Sequence, residues 1–153
     1  MNIKFNTESL FDILSEMEKL LIQHYEELTL NKGRVRLKPV WQKYKQLEQE
    51  GKFFLFTARL NGELVGYSAF IIDTHLHYED IKVASNDVLF LRKDMRLGLA
   101  GLKLLKYSEE RVKDLGADKI TWHLKFSNDF RPILHRLGYK DEDVIVGKFL
   151  DSN

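Results

Sequence analysis

The chain has 153 residues, 44% hydrophobic and 31% charged, which suffices for one domain with a buried core and argues against disorder. Its formal net charge of +1 leaves no global field to draw it to nucleic acid or to a membrane surface. With no cysteine it has no disulfide framework, thiolate nucleophile or cysteine metal site, and its apolar runs are too short to span a bilayer.

The first residues, MNIKFNTESLFDIL, lack the basic start and apolar block of a signal peptide, so the cytoplasm is the expected compartment. From Thr7 the spacing of Leu10, Ile13, Leu14, Met17, Leu20, Leu21 and Leu28 predicts an amphipathic helix, with Asn6 or Thr7 as its cap. The run NKGRVRLKP breaks that pattern, and Pro39 is placed to open a second helix through Val40, Trp41, Tyr44 and Leu47 that ends near Gly51. Asn61-Gly62 then joins two β-rich runs and predicts a hairpin of strands at Phe53–Leu60 and Glu63–Ile72. The polar stretch DTHLHYEDIKVAS reads as a loop and NDVLFLR as a third strand. A helix follows from Leu99 to Leu115 with Gly116 as its stop, then a strand in DKITWHLK, a short helix in NDFRPILHRLG and a last strand in DVIVGKFL. No repeat or linker divides the chain, so residues 1–153 read as one domain. The element order predicts an α+β fold, a mixed central β-sheet flanked by helices, with a parallel right-handed βαβ unit from Asn86 to Lys125.

The join inside that unit, Arg96-Leu97-Gly98-Leu99-Ala100-Gly101, raises a chemical question. Glycines before a helix let backbone amides approach a ligand, and the unpaired amides of a first helical turn suit a pyrophosphate, with Arg96 adding charge. The same glycines also fit a tight turn at a helix–sheet contact. Neither the P-loop nor the GxGxxG pattern is present.

With this context the chain resembles the GNAT acyl-CoA N-acyltransferases. In that family a strand leads into an Arg/Gln-x-x-Gly-x-Gly/Ala loop that holds the coenzyme A pyrophosphate. Arg96 and Gly101 match its first and last positions, while Leu99 stands where the fourth is usually glycine. NGELVGYSAF resembles the family's hairpin and LHRLGYKDEDVIVGKFL its closing segment, so the resemblance runs from Gly51 to Leu150. The segments HYEEL, HLHY and NDVLFLR are similar to a bacteriophage-type subgroup.

The resemblance implies helices on both faces of the sheet, acetyl-CoA as co-substrate and an amine as acceptor. It implies coenzyme contacts at Phe90, Leu91 and Arg92, whose backbone would meet the thioester carbonyl, and at Arg96, Leu97, Gly98, Leu99, Ala100 and Gly101. Asn128 would stand near the pantetheine arm. Leu134 occupies the position of the family's acidic tyrosine, which leaves His135, Tyr139 or solvent to protonate the thiolate.

For the general base, the types present are Glu26, Glu27, His24, His75, His77, Glu79 and Asp80, and Glu27 with His77 is the pair favoured for testing. His75 and His77 would share one side of an extended segment, but no third metal ligand is placed by sequence, so no metal is expected. Glu26, Glu27, Asp73, Glu79 and Asp80 are candidates for an acidic mouth that would receive a small cationic amine or a protein lysine. The basic run Lys32, Arg34, Arg36, Lys38, Lys43 and Lys45 could hold the coenzyme's 3′-phosphate, an acidic protein or nucleic acid, and Trp41 and Tyr44 within it fit core spacing better. A coenzyme-binding or empty-cleft protein that grips a host factor is the competing reading. Homodimers are common among relatives, although nothing in the sequence requires one.

Overall fold

A computed structural model of the chain describes residues 2–151. They form two compact units, the first ending at His123 and the second beginning at Leu124. The first holds a five-stranded mixed sheet in the order β1 (Ile3–Glu8), β2 (Phe53–Leu60), β3 (Glu63–His75), β4 (Tyr78–Leu91) and β5 (Lys119–Thr121). All neighbours are antiparallel except β4 and β5, which are parallel. Helices α1 (Leu14–Leu28) and α2 (Trp41–Gln49) cover one face, packing Met17, Leu20, Trp41 and Tyr44 on Leu55, Tyr67 and Phe90. Helix α3 (Ala100–Asp114) covers the other through Ala100 and Val112, against Phe56, Phe70, Val65 and Leu91. No described helix is long and apolar enough to cross a membrane.

Three local expectations hold closely. Asn61 and Gly62 both take positive φ (50° and 85°), the conformation a two-residue hairpin turn requires. Pro39 precedes α2 by two residues, and α3 stops before Gly116 at φ 93°.

Four expectations are corrected. The helix expected from Thr7 begins at Leu14, because Ile3–Glu8 pair with β2 as an edge strand; Leu10 and Ile13 are buried from a single 3-10 turn that mimics helical spacing. The loop expected over DTHLHYEDIKVAS is instead the outer half of the β3–β4 hairpin, with Asp73 opposite Val83 and His75 opposite Tyr78. Most of its side chains are exposed, so no alternation of apolar and polar residues betrayed it. The strand expected in DKITWHLK is confined to Lys119–Thr121. The last expected strand, DVIVGKFL, is irregular, and Val144, Ile145 and Val146 are 74%, 82% and 90% exposed. A β-branched run cannot become a strand without a partner edge, and the described residues of the second unit by itself hold only a 3-10 turn and helix α4 (Arg131–Arg136).

A charged knot fastens β1, β2 and α1 together. Arg59 reaches Glu8 at 2.9 Å and Glu16 at 2.8 Å, with a second bond to each, and Thr57 also donates to Glu8. Burial pulls the Glu8 carboxyl upward, yet the bonds from Arg59 and Thr57 outweigh this and hold it below the ordinary 4.5. The Arg59 bond does the same for Glu16. Groups with lowered folded-state pKa stabilise above their unfolded value and lose that contribution as pH falls through the folded one. The melting temperature is therefore expected to drop as pH falls below about 4.5. Glu8→Gln/Glu16→Gln is expected to melt a few degrees lower at pH 7 and to show a shallower acid drop; equal acid limbs in melts from pH 7 to 3 would refute this role.

Candidate active site

The site is built where β4 loses a neighbour. β4 pairs with β5 only over Val83–Ser85, and beyond Ser85 no described strand flanks that side. At this point β4 carries a bulge: Asn86 faces Phe70 and Val88 faces Ala69, leaving Asp87 unpaired. The buried Asn86 side chain fixes the bulge by donating to the Ala69 and Val88 carbonyls at 3.2 and 3.0 Å. Farther on, the Arg92 amide donates to the Val65 carbonyl at 2.8 Å. Antiparallel alternation then turns the backbone groups of Leu89 and Leu91 away from β3, toward the unflanked side.

From Leu91 the chain makes a 3-10 turn, Lys93–Met95, and Met95 plugs the core beneath it. The loop Arg96–Leu99 follows, with Leu97 and Leu99 side chains 84% and 62% exposed. Helix α3 has Leu99 as N-cap with no side-chain cap, and its first bond joins the Lys103 amide to the Leu99 carbonyl at 2.9 Å. The amides of Ala100, Gly101 and Leu102 thus have no partner in the helical ladder and sit at its positive end.

The two glycines of this loop do different work. Gly98 has φ 96°, so the turn itself requires it. Gly101 has no such conformation, and a Cβ there would meet only Leu91 Cδ2 at 3.8 Å, an ordinary contact. A glycine in a helix costs about 1 kcal/mol relative to alanine. Packing offers no return for that cost.

Arg96 is committed within the protein. Its Nε donates to the Leu91 carbonyl at 2.7 Å, its two terminal nitrogens grip both Glu27 oxygens, and its guanidinium lies 5.3 Å from the Phe90 ring centre. That pairing holds the Glu27 carboxyl below its ordinary range, so Glu27 is a weak base and an anchor for the loop. Arg92, by contrast, points to Asp94 and Glu63.

The structure does not bring Glu27 and His77 together. Glu27 meets Arg96 beside Phe90, whereas His77 sits at the tip of the β3–β4 hairpin. From His77 to Phe90 the strand runs for a length on the order of 40 Å. There His77 donates its amide to His75 Nδ1 at 3.0 Å, and both rings cluster with Tyr78. No group of three or more His, Asp or Glu side chains that could hold a metal occurs among the described residues. The expected acidic mouth is likewise dispersed, since Asp73 pairs with Lys52 at 3.2 Å on the hairpin and Glu26 and Glu27 end α1. The cations Lys32, Arg34, Arg36 and Lys38 lie exposed in the α1–α2 connection, while Trp41 and Tyr44 pack on the core.

In the second unit, Asn128 closes the 3-10 turn Phe126–Asn128. Leu134 is buried in α4, His135 Nε2 lies 2.7 Å from Asp141, and the Tyr139 amide donates to the Leu134 carbonyl at 3.1 Å.

Two features escaped the sequence reading. Asp87, at the bulge, accepts a 2.7 Å bond from the Tyr44 hydroxyl at the edge of a recess lined also by Met17, Trp41, Phe53 and Val88. His24 is among the base candidates by type and neighbourhood, but its contacts with Tyr67 and Phe90 are not legible in the spacing. Neither a bulge nor a contact between distant residues leaves a periodic trace.

A strand that parts from its parallel neighbour thus stands beside an uncapped, glycine-bearing helix start. The family model described as the acetyltransferase (GNAT) family matches residues 14–139, and the chain belongs to that family. Its fold is shared with an aminoglycoside acetyltransferase from an uncultured soil metagenomic sample (19% identity, TM-score 0.75, 99% of this chain and 100% of that one). It is shared with the ribosomal-protein-alanine N-acetyltransferase of Brucella melitensis (17%, 0.72, 97% and 100%) and with a predicted acetyltransferase of Clostridium acetobutylicum solved with acetyl-CoA (13%, 0.68, 97% and 97%). No curated protein matches the sequence significantly.

Proposed function

We propose that this GNAT-family protein moves the acetyl group of acetyl-CoA to a primary amine, either a small cationic amine or a protein lysine. The observation that carries the reading is Gly101, a helix-start glycine that neither conformation nor packing requires, beside three uncapped amides. In this reading the amides of Leu97, Gly98, Leu99, Ala100 and Gly101 hold the pyrophosphate, and Arg96, clamped by Glu27, keeps the loop in place. The Leu91 amide, between Phe90 and Arg92, donates to the thioester oxygen, where a preorganised donor stabilises the oxyanion of the adduct. Asn128 is assigned to the pantetheine arm. The bacteriophage-type kinship rests on HYEEL, YKQLEQEGKFFLFTARLNGELVGY, HLHY and NDVLFLR followed by MRLG. A cytoplasmic setting agrees with the cysteine-free composition.

One observation favours a second reading, a coenzyme-binding protein of little turnover that grips a host protein or nucleic acid. Leu134, at the position of the family's tyrosine, is buried and has no proton to give.

Calorimetric titration with acetyl-CoA, followed by thiol release in the presence of spermidine or a lysine-rich peptide, separates the two. Binding with thiol release supports the transferase, and binding without it the second reading. No binding overturns both as stated. A nucleic-acid partner would add binding that weakens steeply with salt.

A further inference from the structure

The connection between α1 and α2, residues 29–40, contains no helix or strand, yet both of its ends are fastened. Where it leaves α1, Glu27 is gripped by Arg96, whose Nε also bonds the Leu91 carbonyl. Where it enters α2, the Tyr44 hydroxyl donates to Asp87 at 2.7 Å. The connection therefore joins the two ends of the β4 segment 87–91, where the thioester is placed above. It is also tied midway, because Tyr25 of α1 donates to the Val35 carbonyl at 2.6 Å and Lys32 Nζ donates to the Glu26 carbonyl.

No acid occurs between Asn31 and Gln46, and cations stand at alternate positions of the connection, Arg34, Arg36 and Lys38, with Val35 and Leu37 between them. All five are exposed. Arg36 and Lys38 make no ion pair among the described residues. We propose that this strip holds the carboxylates of an acidic peptide segment, so that the acceptor is a protein lysine with acidic neighbours and not a polyamine. The proposal rests on the acetyltransferase reading and narrows its acceptor.

Extended peptides carry side chains to one side at every second residue, about 7 Å apart, and the cations of the strip have the same period along the chain. The intervening Val35 and Leu37, 37% and 39% exposed, suit the apolar residues of a peptide and not a phosphate chain. Single-stranded nucleic acid is held by exposed aromatic rings as well as by charge, and the aromatics beside this strip, Trp41 and Tyr44, pack on the core. A net charge of +1 supplies no wider field for a nucleic acid either. A polyamine would be repelled by the strip.

The test uses the full chain with acetyl-CoA and three acceptors: a one-lysine peptide flanked by glutamates, the same peptide flanked by glutamines, and spermidine. At low salt the glutamate peptide is expected to show a kcat/KM about tenfold above the other two, an advantage that shrinks at high salt. Arg36→Gln/Lys38→Gln is expected to cut that advantage about fivefold, the scale of two exposed ion pairs, with acetyl-CoA affinity and melting temperature unchanged. Binding of the labelled glutamate peptide, followed by anisotropy in the presence of coenzyme A, is expected to weaken by the same factor without any turnover. An undiminished advantage or affinity in the double variant, or a higher kcat/KM for spermidine, would overturn the proposal. So would a loss of acetyl-CoA affinity in the double variant, which would give the strip to the coenzyme's 3′-phosphate, or tighter binding of an oligonucleotide than of the peptide. Thiol release with none of the three acceptors would instead overturn the transferase reading, and this one with it.

Discussion

Gly101→Glu is expected to reduce acetyl-CoA affinity at least 100-fold while the protein melts within a few degrees of the wild type. A side chain is sterically accepted there, because its Cβ meets only Leu91 Cδ2 at 3.8 Å. Leaving glycine behind gains about 1 kcal/mol of helix propensity, and a carboxylate in the first turn is favourable to the helix dipole. The same carboxylate opposes the charge of a pyrophosphate and crowds the amides of Ala100 and Leu102. Loss of binding therefore reports on the ligand and not on the fold. Gly101→Ala separates bulk from charge: a smaller loss of affinity is expected with a slightly raised melting temperature. Wild-type affinity in Gly101→Glu, measured by calorimetry, would remove the coenzyme from this helix start.

Gly66→Ala is expected to do the opposite and strike the fold first. A Cβ at Gly66 would lie 2.7 Å from Leu91 Cδ1 and 2.9 Å from the Phe90 carbonyl oxygen. The leucine can rotate, but the carbonyl belongs to the strand and moves only if β4 moves. Overpacking of this kind costs about 2–3 kcal/mol. For a domain of this length that is a fall of roughly 5–10 °C in melting temperature. Because the displaced atoms belong to Phe90 and Leu91, acetyl-CoA affinity should fall together with stability. A variant that melts like the wild type would show that β3 and β4 are not in the close contact described.

Gly66 also shows how differently parts of this molecule can be read. In the string NGELVGYSAF it is one more glycine, whereas Asn61-Gly62 a few residues earlier predicts its turn outright, because the positive φ of both residues is a property of the dipeptide. Helix α3, its glycine stop and the start of α2 after Pro39 follow from the same local logic. So does the suspicion that Gly98 and Gly101 face a phosphate. β1 was lost because Leu10 and Ile13 continue the helical spacing of Met17 and Leu20. The β3–β4 tip was lost because a hairpin wet on both faces has no hydrophobic alternation.

By itself, then, the sequence determined the elements whose conformation neighbouring residues impose, and the resemblance to an acyltransferase loop. Tertiary structure alone decided that β4 parts from β5 after Ser85, that a bulge places Asp87 opposite Tyr44, and that Arg96 grips Glu27 from 69 residues away. It also decided that His24 meets Tyr67 across 43 residues of chain. Turns and helix ends are set by backbone sterics over a few residues, and such preferences are written locally. A reacting site is set by which distant side chains the packed layers bring within hydrogen-bond reach, and no spacing along the chain carries that distance.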